Sequence, residues 1–303
     1  MSEEARVPWR HYPAWLLLKA FCGALQLLPE GLVYRIAAGL SRLAFLPNSR
    51  YRRVALANLD LAYGDAKTVA EKRRIARGSF RNLFLTMTEF MLTPKIRRRG
   101  GPDIELINGE AIRAVRAKGK GLIFLVSHYG NWEFMALSDA PLMGPVAAVG
   151  RPFRNSLIYR EIERRRSMCN LMPIKKKWVA QDIIDLLGRN YCVAILSDQY
   201  AGRFAPFAPF FGRPVSTTPS AVVLAMKTGA SIVPVFDVRV GYSRHEVHAC
   251  DPIEIPDTGD RKADIAEGCA RMNRVLEGWV RRRPDLWLWM ARRWRKKKRP
   301  EEL

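Results

Sequence analysis

The chain has 303 residues, of which 48% are hydrophobic and 26% are charged, and this composition excludes a disordered protein. Its length is enough for one large domain or two small ones. The formal net charge of +22 predicts acidic partners, which are nucleic acid, anionic lipid or an acidic carrier protein.

The sequence carries no sign of secretion. Its cysteines are scattered and form no C-x-x-C pair, so we interpret them as reduced thiols facing the cytoplasm, none of them catalytic. The N-terminus, MSEEARVPWR, has two glutamates and no basic region before the apolar stretch that follows. A cleaved signal peptide is therefore not expected.

The first of two apolar segments near the N-terminus covers residues 11–29. Its polar residues Lys19 and Gln26 lie seven positions apart, so on a helix they form one narrow seam. A lysine at the centre of a bilayer costs about 2.5–3.5 kcal/mol, and each leucine or phenylalanine returns about 0.3–0.6 kcal/mol. Because the segment has seven such apolar residues, its insertion into a membrane is marginal.

The second segment, residues 32–46, is amphipathic. Its apolar residues make one stripe, and Arg35 and Arg42 lie elsewhere on the helix, a pattern typical of a helix in a bilayer interface. The positive charge of the chain favours an anionic leaflet. We therefore predict an N-terminal membrane anchor over residues 1–48, spanning once or inserted from one side. The alternative is two ordinary helices packed against a core.

Residues 49–303 are predicted to form a single α/β domain. Continuous apolar runs indicate buried strands, and stretches of helical periodicity separate them. This alternation predicts a mostly parallel central sheet flanked by helices, with a hairpin near residue 240. The predicted strands are 121–127, 146–150, 191–197 and 231–238, and the predicted helices are 49–93 (in two parts), 109–119, 132–139, 155–168, 178–188, 219–228 and 260–282.

The stretch VSHYGNWEF places His128 at the carboxyl end of a predicted strand, where open α/β sheets usually carry their sites. Gly130 allows the backbone to turn, and Asn131 is a good N-cap for the next predicted helix. Glu133 would lie in the first turn of that helix, from which its carboxylate can reach the His128 ring. The carboxylate would fix the imidazole tautomer and leave the other nitrogen to take a proton from a hydroxyl.

The N-terminus of the same helix would offer unpaired N–H groups to a developing oxyanion. Taken alone, a histidine and an acid five positions apart are a weak signal. The alternative is a histidine at a strand end and a glutamate that favours a helix N-terminus. The position between a buried strand and a helix favours the catalytic interpretation.

Other kinds of site are less well supported. His245 and His248 stand three positions apart, and on a strand they point to opposite faces, so they cannot bind one metal together with Cys250. The chain lacks the G-x-S-x-G elbow of serine hydrolases and the glycine-rich fingerprints of nucleotide sites. A nucleic-acid-binding protein is a remote alternative, because the basic residues are spread along the chain. A non-catalytic membrane scaffold is another.

Four stretches, in order, resemble the bacterial lipid A late acyltransferases, within the glycerolipid acyltransferase superfamily. VSHYGNWEF resembles the H-x4-D/E motif. VGRPFRNSLI resembles a second block, although Arg154 precedes Asn155 where the family usually has an acidic residue. Residues 196–236, with an Asp-Gln pair and a Phe-Phe-Gly, and residues 284–300, with Trp followed by Arg-Arg, resemble the remaining blocks. The resemblance covers nearly the whole chain.

The resemblance implies that His128 is the general base and Glu133 its orienting carboxylate. It also implies that Arg151 binds an anionic group or holds the site together, and that Asp198 and Gln199 line the same rim. No cofactor and no metal are expected. The residues expected to bind substrate are Asn131, Arg151, Asn155, Asp198, Gln199 and Gly212.

The mechanism that the resemblance implies is direct transfer from an acyl-carrier-protein thioester to a hydroxyl of a glycolipid, with a lipid A precursor as the expected acceptor. The expected location is the cytoplasmic face of the bacterial inner membrane. The positive charge would hold anionic lipid and dock the acidic carrier protein. The alternatives are a lysophospholipid or another glycolipid, such as a mannosylated phosphoinositide, as acceptor, and a coenzyme A thioester as donor.

Overall fold

The structure, a computed structural model, describes residues 8–137, 143–148, 154–174 and 179–294. The α-helices within these ranges are α1 (Tyr12–Leu27), α2 (Glu30–Ala44), α3 (Arg50–Tyr63), α4 (Val69–Arg98), α5 (Gly109–Arg116), α6 (Ser156–Met168), α7 (Val179–Gly188), α8 (Ser220–Thr228) and α9 (Arg261–Arg282). The strands are β1 (Asp103–Ile107), β2 (Leu122–Val126), β3 (Val146–Ala148), β4 (Leu171–Pro173), β5 (Cys192–Leu196), β6 (Phe207–Phe210), β7 (Arg213–Ser216), β8 (Ser231–Gly241) and β9 (Arg244–Ala249).

The central sheet has the strand order β1-β9-β8-β2-β5-β3-β4. Strands β8, β2, β5, β3 and β4 run parallel to one another, whereas β9 pairs antiparallel with β8 and β1 pairs parallel with β9. This confirms the predicted α/β fold with a mostly parallel sheet, and the β8–β9 pair is the hairpin predicted near residue 240. Strands β6 and β7 form a separate antiparallel hairpin that the sequence analysis did not predict.

Strand β2 is buried at every position, because helices cover both faces of the sheet. On one face Phe124 belongs to a core that includes Ile96 of α4, and on the other face Ile123 belongs to a core that includes Val222 of α8. Strands β2 and β5 are neighbours in parallel register, so their carboxyl ends lie side by side. Residues that follow these two strands are therefore brought together.

Helix α4 is the longest helix of the described residues and passes beside this edge of the sheet. Its start is fixed by a capping box in which Thr68 and Glu71 exchange hydrogen bonds. Its buried face carries the polar residues Asn82, Thr86 and Glu89. Polar groups in a core need partners, and these three side chains find theirs in the segment after β2 and in the β8–β9 hairpin.

Helices α1 and α2 pack on α4 and leave large apolar side chains at the surface. Leu25 and Val33 join the core, whereas Leu17 is 73% exposed and Leu43 is 61% exposed. Of the residues that the structure describes, no helix combines the length and the hydropathy needed to cross a bilayer. The predicted division between an anchor over residues 1–48 and an α/β domain stays a prediction.

The helix predicted at residues 132–139 is wrong in type. The chain makes turns up to Phe134 and then a 3₁₀ helix at Met135–Leu137. The reason is local hydrogen bonding, because Phe134 N–H donates to the Asn131 carbonyl and Leu137 N–H to the Phe134 carbonyl, each three residues back. Residues 138–142 lie outside the described residues, as do the last two residues of the strand predicted at 146–150.

Candidate active site

His128 and Asp198 follow the neighbouring strands β2 and β5, and their side chains meet. Asp198 Oδ1 lies 2.8 Å from His128 Nδ1, and Asp198 Oδ2 accepts the backbone N–H of His128 at 2.9 Å. The indole Nε1 of Trp287 donates a further hydrogen bond to Oδ2 at 2.9 Å. The Asp198 side chain is 1% exposed, whereas that of His128 keeps 18% of its surface exposed. The carboxylate thus holds the imidazole from the buried side.

The electrostatics of this pair suit proton transfer. Burial lowers the pKa of His128, but the charge and hydrogen bond of Asp198 outweigh burial and raise that pKa above its ordinary value. Burial raises the pKa of Asp198, but its interactions with His128 and Trp287 outweigh burial and lower that pKa. The pair therefore stabilises an imidazolium beside a carboxylate, which is the state of a general base after it has taken a proton.

Asp198 also fixes the tautomer of a neutral His128. A proton on Nδ1 points at the carboxylate and leaves the lone pair on Nε2. The side-chain amide nitrogen of Gln199 lies 3.3 Å from Nε2, and Gln199 is exposed. The backbone carbonyl of Gln199 accepts a hydrogen bond from the fully buried Arg293 at 3.0 Å. Gln199 therefore occupies the reactive side of the imidazole on a backbone that is held in place.

Glu133 does not take the predicted position beside His128. Its carboxylate accepts two hydrogen bonds from the Arg166 guanidinium, at 2.9 and 3.0 Å, which form a bidentate pair. The physical reason for this correction is that the segment after Asn131 is not an α-helix, and the turn that replaces the helix carries Glu133 to α6. Asp198 occupies Nδ1 instead. The charge of Glu133 still raises the pKa of His128, by less than the charge of Asp198 does.

Three backbone N–H groups around the predicted helix start are already engaged. Gly130 N–H donates to the Leu286 carbonyl, and Asn131 N–H donates to the Asp237 carboxylate at 2.6 Å. Glu133 N–H donates to the Asn131 side chain at 3.2 Å. These three N–H groups are therefore not free to receive an oxyanion, and no α-helix begins at these positions.

Charged side chains form a buried cluster beneath this turn. Glu89 pairs with Arg239 and lies 3.4 Å from His245 Nε2, and Asp237 lies 2.8 Å from His245 Nδ1. Burial lowers the pKa of His245, but the two carboxylates raise it to about 9. Burial raises the pKa of Glu89, but Arg239 and His245 lower it to about 2. Two carboxylates thus face two cations, and their charges balance only while His245 is protonated.

The buried charged cluster holds Asn131. This residue is 0% exposed, and its side-chain amide donates to Glu89 Oε2 at 2.8 Å while its backbone N–H donates to Asp237. Asn131 was predicted to bind substrate. Its enclosed side chain fixes the segment that follows His128, and the role in substrate binding stays a prediction.

Gly130 is fixed just as tightly. Its carbonyl accepts hydrogen bonds from Asn82 at 3.1 Å and Thr86 at 3.0 Å. Its φ of +60° favours glycine, and a Cβ here would lie 2.0 Å from the Asp237 carbonyl oxygen. The backbone of Gly130 lies so close to that of Asp237 that only glycine fits. This close approach adds to the turn that the sequence predicted at Gly130.

Among the other predicted substrate-binding residues, Asn155 and Gly212 have local structural roles. Asn155 caps α6 by accepting two backbone N–H groups, and its amide donates to the His11 carbonyl at 2.8 Å. Gly212 lies in the two-residue turn of the β6–β7 hairpin with a φ of +67°, a conformation that favours glycine. Arg151 lies outside the described residues.

An apolar cleft opens beside His128, between the sheet and α6. Trp132, whose ring centroid lies 5.0 Å from that of His128, forms part of its wall. Among the described residues, the charged side chains that line the cleft are Glu133 and Arg166, which pair with each other. The free space is only about 50 Å³, and a larger ligand fits only if flexible side chains such as Met143 change rotamer. The strand residues that line it are Phe124, Val126, Val146, Ala148, Leu171, Ala194, Leu196, Val235 and Val247.

Four residues around the site were not predicted from the sequence: Glu89, Asp237, Arg166 and Trp287. A usable signal existed for two of them, because Asp237 follows the apolar run SIVPVF and Glu89 stands inside the mostly apolar LFLTMTEFML. A charge within an apolar run must be paired when it is buried. No comparable signal marks Arg166 among the many arginines of α6.

A protein-family model and curated relatives both match most of this chain. The family model described as bacterial lipid A biosynthesis acyltransferase matches residues 2–296. The chain is 26% identical over 303 residues to the lipid A biosynthesis lauroyltransferase of Escherichia coli (strain K12), covering 96% of this chain and 94% of the relative.

It is also 26% identical over 255 residues to the lipid A biosynthesis palmitoleoyltransferase of the same strain, covering 81% and 79%. A more partial match, 22% over 150 residues, covers 48% of this chain and 49% of the phosphatidylinositol mannoside acyltransferase of Mycolicibacterium smegmatis (strain ATCC 700084 / mc(2)155). The chain belongs to the bacterial lipid A biosynthesis acyltransferase family and is an acyltransferase of lipid A biosynthesis.

Proposed function

We propose that this protein moves a fatty acyl group from an acyl-carrier-protein thioester to a hydroxyl of a lipid A precursor, with His128 as the general base and Asp198 as its orienting carboxylate. The observation that carries the proposal is the buried Asp198 on His128 Nδ1, with an apolar cleft beginning beside the same ring. General-base assistance of this kind contributes roughly 10²–10⁴ in rate.

The transfer is a single exchange at the thioester carbonyl. The acceptor hydroxyl displaces the Gln199 amide from His128 Nε2, and its oxygen attacks the carbonyl carbon while its proton passes to Nε2. A C–O bond forms and the C–S bond breaks, and the imidazolium then returns the proton to the leaving thiolate. Asp198 stabilises the imidazolium throughout, so no covalent acyl-enzyme is needed.

The apolar cleft is the proposed place of the acyl chain. Most of its walls are apolar side chains of the sheet and Trp132. A hydrocarbon chain bound there would be removed from contact with water, which is favourable. The Glu133–Arg166 pair lies in the same wall and holds α6 against the sheet, and Glu133 assists His128 only through its charge. This replaces the direct contact that the H-x4-E spacing suggested.

The charge of the chain and the names of its relatives support the proposed substrates. A net charge of +22 is complementary to an acidic carrier protein. The lauroyltransferase and palmitoleoyltransferase relatives are both named for lipid A biosynthesis. The partial match to a phosphatidylinositol mannoside acyltransferase keeps a different glycolipid as the second candidate acceptor.

We further propose that α1 and α2 lie in the surface of the inner membrane on its cytoplasmic side. These two helices carry many of the exposed large apolar side chains of the described residues, among them Leu17, Leu27 and Leu43, and such a concentration marks an interaction surface. An interfacial position would keep the site beside a lipid acceptor.

The experiment is a transfer assay with purified protein in detergent and a labelled acyl-carrier-protein thioester, with a lipid A precursor, a lysophospholipid and a mannosylated phosphoinositide as competing acceptors. His128→Ala should lower transfer at least about a hundredfold. His248→Ala, on β9 beside Trp279, is the matched control and should retain transfer. Equal transfer by wild type and His128→Ala would refute the base assignment, and preference for another acceptor would refute the lipid A assignment.

A further inference from the structure

A cavity lined by arginines lies where α2, α3 and α4 meet. Arg42 comes from α2, Arg52 from α3, and Arg77 and Arg81 from α4, and the four surround a space of about 780 Å³. We call this space the arginine cavity. None of its lining residues lines the apolar cleft beside His128, so it is a separate feature.

The four guanidinium groups are not neutralised by any described carboxylate. Among the residues that the structure describes, none of the four lies within salt-bridge distance of an acid, whereas the buried acids Glu133 and Glu89 are each paired with an arginine. The Nε atom of Arg52 is also buried without a hydrogen-bond partner. Like charges around one space repel each other, and an anion bound between them relieves that repulsion.

Two of the four arginines are restrained by packing on Phe45. Phe45 is 7% exposed, and the guanidinium carbons of Arg52 and Arg77 lie 5.2 and 5.5 Å from its ring centroid. Such cation–π packing restrains side chains that are otherwise flexible, so less entropy is lost on binding. The planar fork of arginine matches the oxygens of a phosphate group, with which it forms paired hydrogen bonds.

The surroundings of the arginine cavity point to a lipid as the source of the phosphate. Leu43 and Leu46 are 61% and 56% exposed, and Leu46 itself lines the cavity. A phosphate group beside apolar side chains is the arrangement of a lipid headgroup next to its acyl region. We propose that the arginine cavity binds the phosphate of an anionic phospholipid headgroup while the adjacent leucines enter the bilayer interface. This proposal rests on the interfacial position proposed for α2.

The first test is vesicle co-sedimentation without acyl donor or acceptor, so that its outcome is independent of the transfer reaction. Vesicles of phosphatidylcholine alone are compared with vesicles that contain phosphatidylglycerol. Wild type should prefer the anionic vesicles, and the double variant Arg77→Gln/Arg81→Gln should lose about tenfold or more in partition. The matched control Arg73→Gln/Arg74→Gln removes the same charge from the same helix at positions that do not line the arginine cavity, and it should lose much less. Equal losses in the two variants would mean diffuse attraction and would overturn the proposal.

The second test separates the possible ligands by titration calorimetry. Dihexanoyl phosphatidylglycerol, below its micelle concentration, should bind wild type at one site and should not bind the Arg77→Gln/Arg81→Gln variant. Inorganic phosphate should bind more weakly. If phosphate alone binds as tightly as the short-chain lipid, or if the variant loses affinity for acyl carrier protein but not for vesicles, the site is not a lipid site. Thermal unfolding of both variants shows whether they are folded, and Arg81→Lys is the substitute if the double variant is not.

Discussion

Trp287 donates its indole N–H to the Asp198 carboxylate over 2.9 Å, and both side chains are at most 1% exposed. The group that orients His128 is therefore itself oriented by a residue 89 positions further along the chain. Because the bond is sheltered from water, it is stronger than the same bond at the surface. It is also a bond that one substitution can remove with little change in shape.

Trp287→Phe should lower kcat by about tenfold, the size expected for one hydrogen bond to a charged group. The substitution keeps an aromatic ring against Phe210 but leaves Asp198 with one donor fewer. Trp289→Phe is the control, because Trp289 is equally buried and its indole donates to the Pro284 carbonyl instead. Steady-state kinetics of the two variants check this, and an equal loss in both would assign the effect to packing.

Asp198→Asn should change the pH profile as well as the rate. The base acts when neutral, so kcat/KM rises with pH through the pKa of His128. Since Asp198 raises that pKa, its removal should move the acidic limb to lower pH and lower the plateau at least about a hundredfold. Glu133→Gln should move the limb in the same direction by less. A larger movement in Glu133→Gln than in Asp198→Asn would restore Glu133 as the orienting acid.

Glu133 and Arg166 should behave as one unit in stability. Each is mostly buried, with side-chain exposures of 7% and 23%, so loss of either leaves a charge without its partner. Glu133→Gln and Arg166→Gln should each cost about 1–3 kcal/mol, reduced by the solvent access of Arg166. The double variant should cost less than the two together, with a coupling of about 0.5–3 kcal/mol. Urea unfolding of the four proteins measures this, and additive costs would contradict the pairing.

His245 should make stability depend on pH on the alkaline side. Its folded pKa of about 9 lies above its ordinary value of 6.5, so protonation favours the folded state. The contribution is fully present below about pH 6.5 and is lost as the pH rises through 9, and it is on the order of 3 kcal/mol. In His245→Gln this loss should disappear. The measurement is the free energy of unfolding of wild type and variant from pH 6 to 10. The difference between the two should become smaller as the pH rises. A constant difference would show that His245 is not protonated in the folded protein.

Gly130→Ala should prevent a productive fold around His128. The new Cβ would meet the Asp237 carbonyl oxygen at 2.0 Å, and one backbone must move away. Gly119→Ala is the matched control, since Gly119 also has a positive φ of 69° but has no atom within 4 Å of the added Cβ. The control should cost only about 1–2 kcal/mol from its backbone conformation. Thermal unfolding and transfer rates of both variants are the measurements, and similar losses would mean that φ alone matters.

The parts of the site that depend on local pattern could be predicted, and the parts that depend on strand order could not. The apolar run of β2 predicted a buried strand, and His128 follows from its position at the end of that run. Its partner Asp198 is 70 positions away, and their contact depends on β2 and β5 being neighbours. One sequence does not reveal that order. The predicted contact between Glu133 and His128 differs from the structure for another reason, because it assumed an α-helix where the chain forms turns and a short 3₁₀ helix.

The same holds for the buried charged cluster. Glu89 lies on α4, whereas Asp237 and His245 lie on a hairpin about 150 residues later, and only their packing brings them together. His245 and His248 were correctly placed on one strand, and the metal site was rejected from their spacing. The spacing of the two histidines does not reveal that His245 faces the carboxylates of Glu89 and Asp237. A buried histidine between two carboxylates is a property of the assembled fold.

The late positions of Trp287 and Arg293 in the chain determine when, during synthesis, the catalytic pair acquires its supporting contacts. Both lie late in the chain, yet one holds the Asp198 side chain and the other holds the Gln199 backbone. During translation β2 and β5 leave the ribosome well before either residue does, so the histidine and its acid can meet while their supports are still missing. The catalytic pair of the nascent enzyme is therefore incompletely supported until residue 293 has emerged, and these long-range contacts form last.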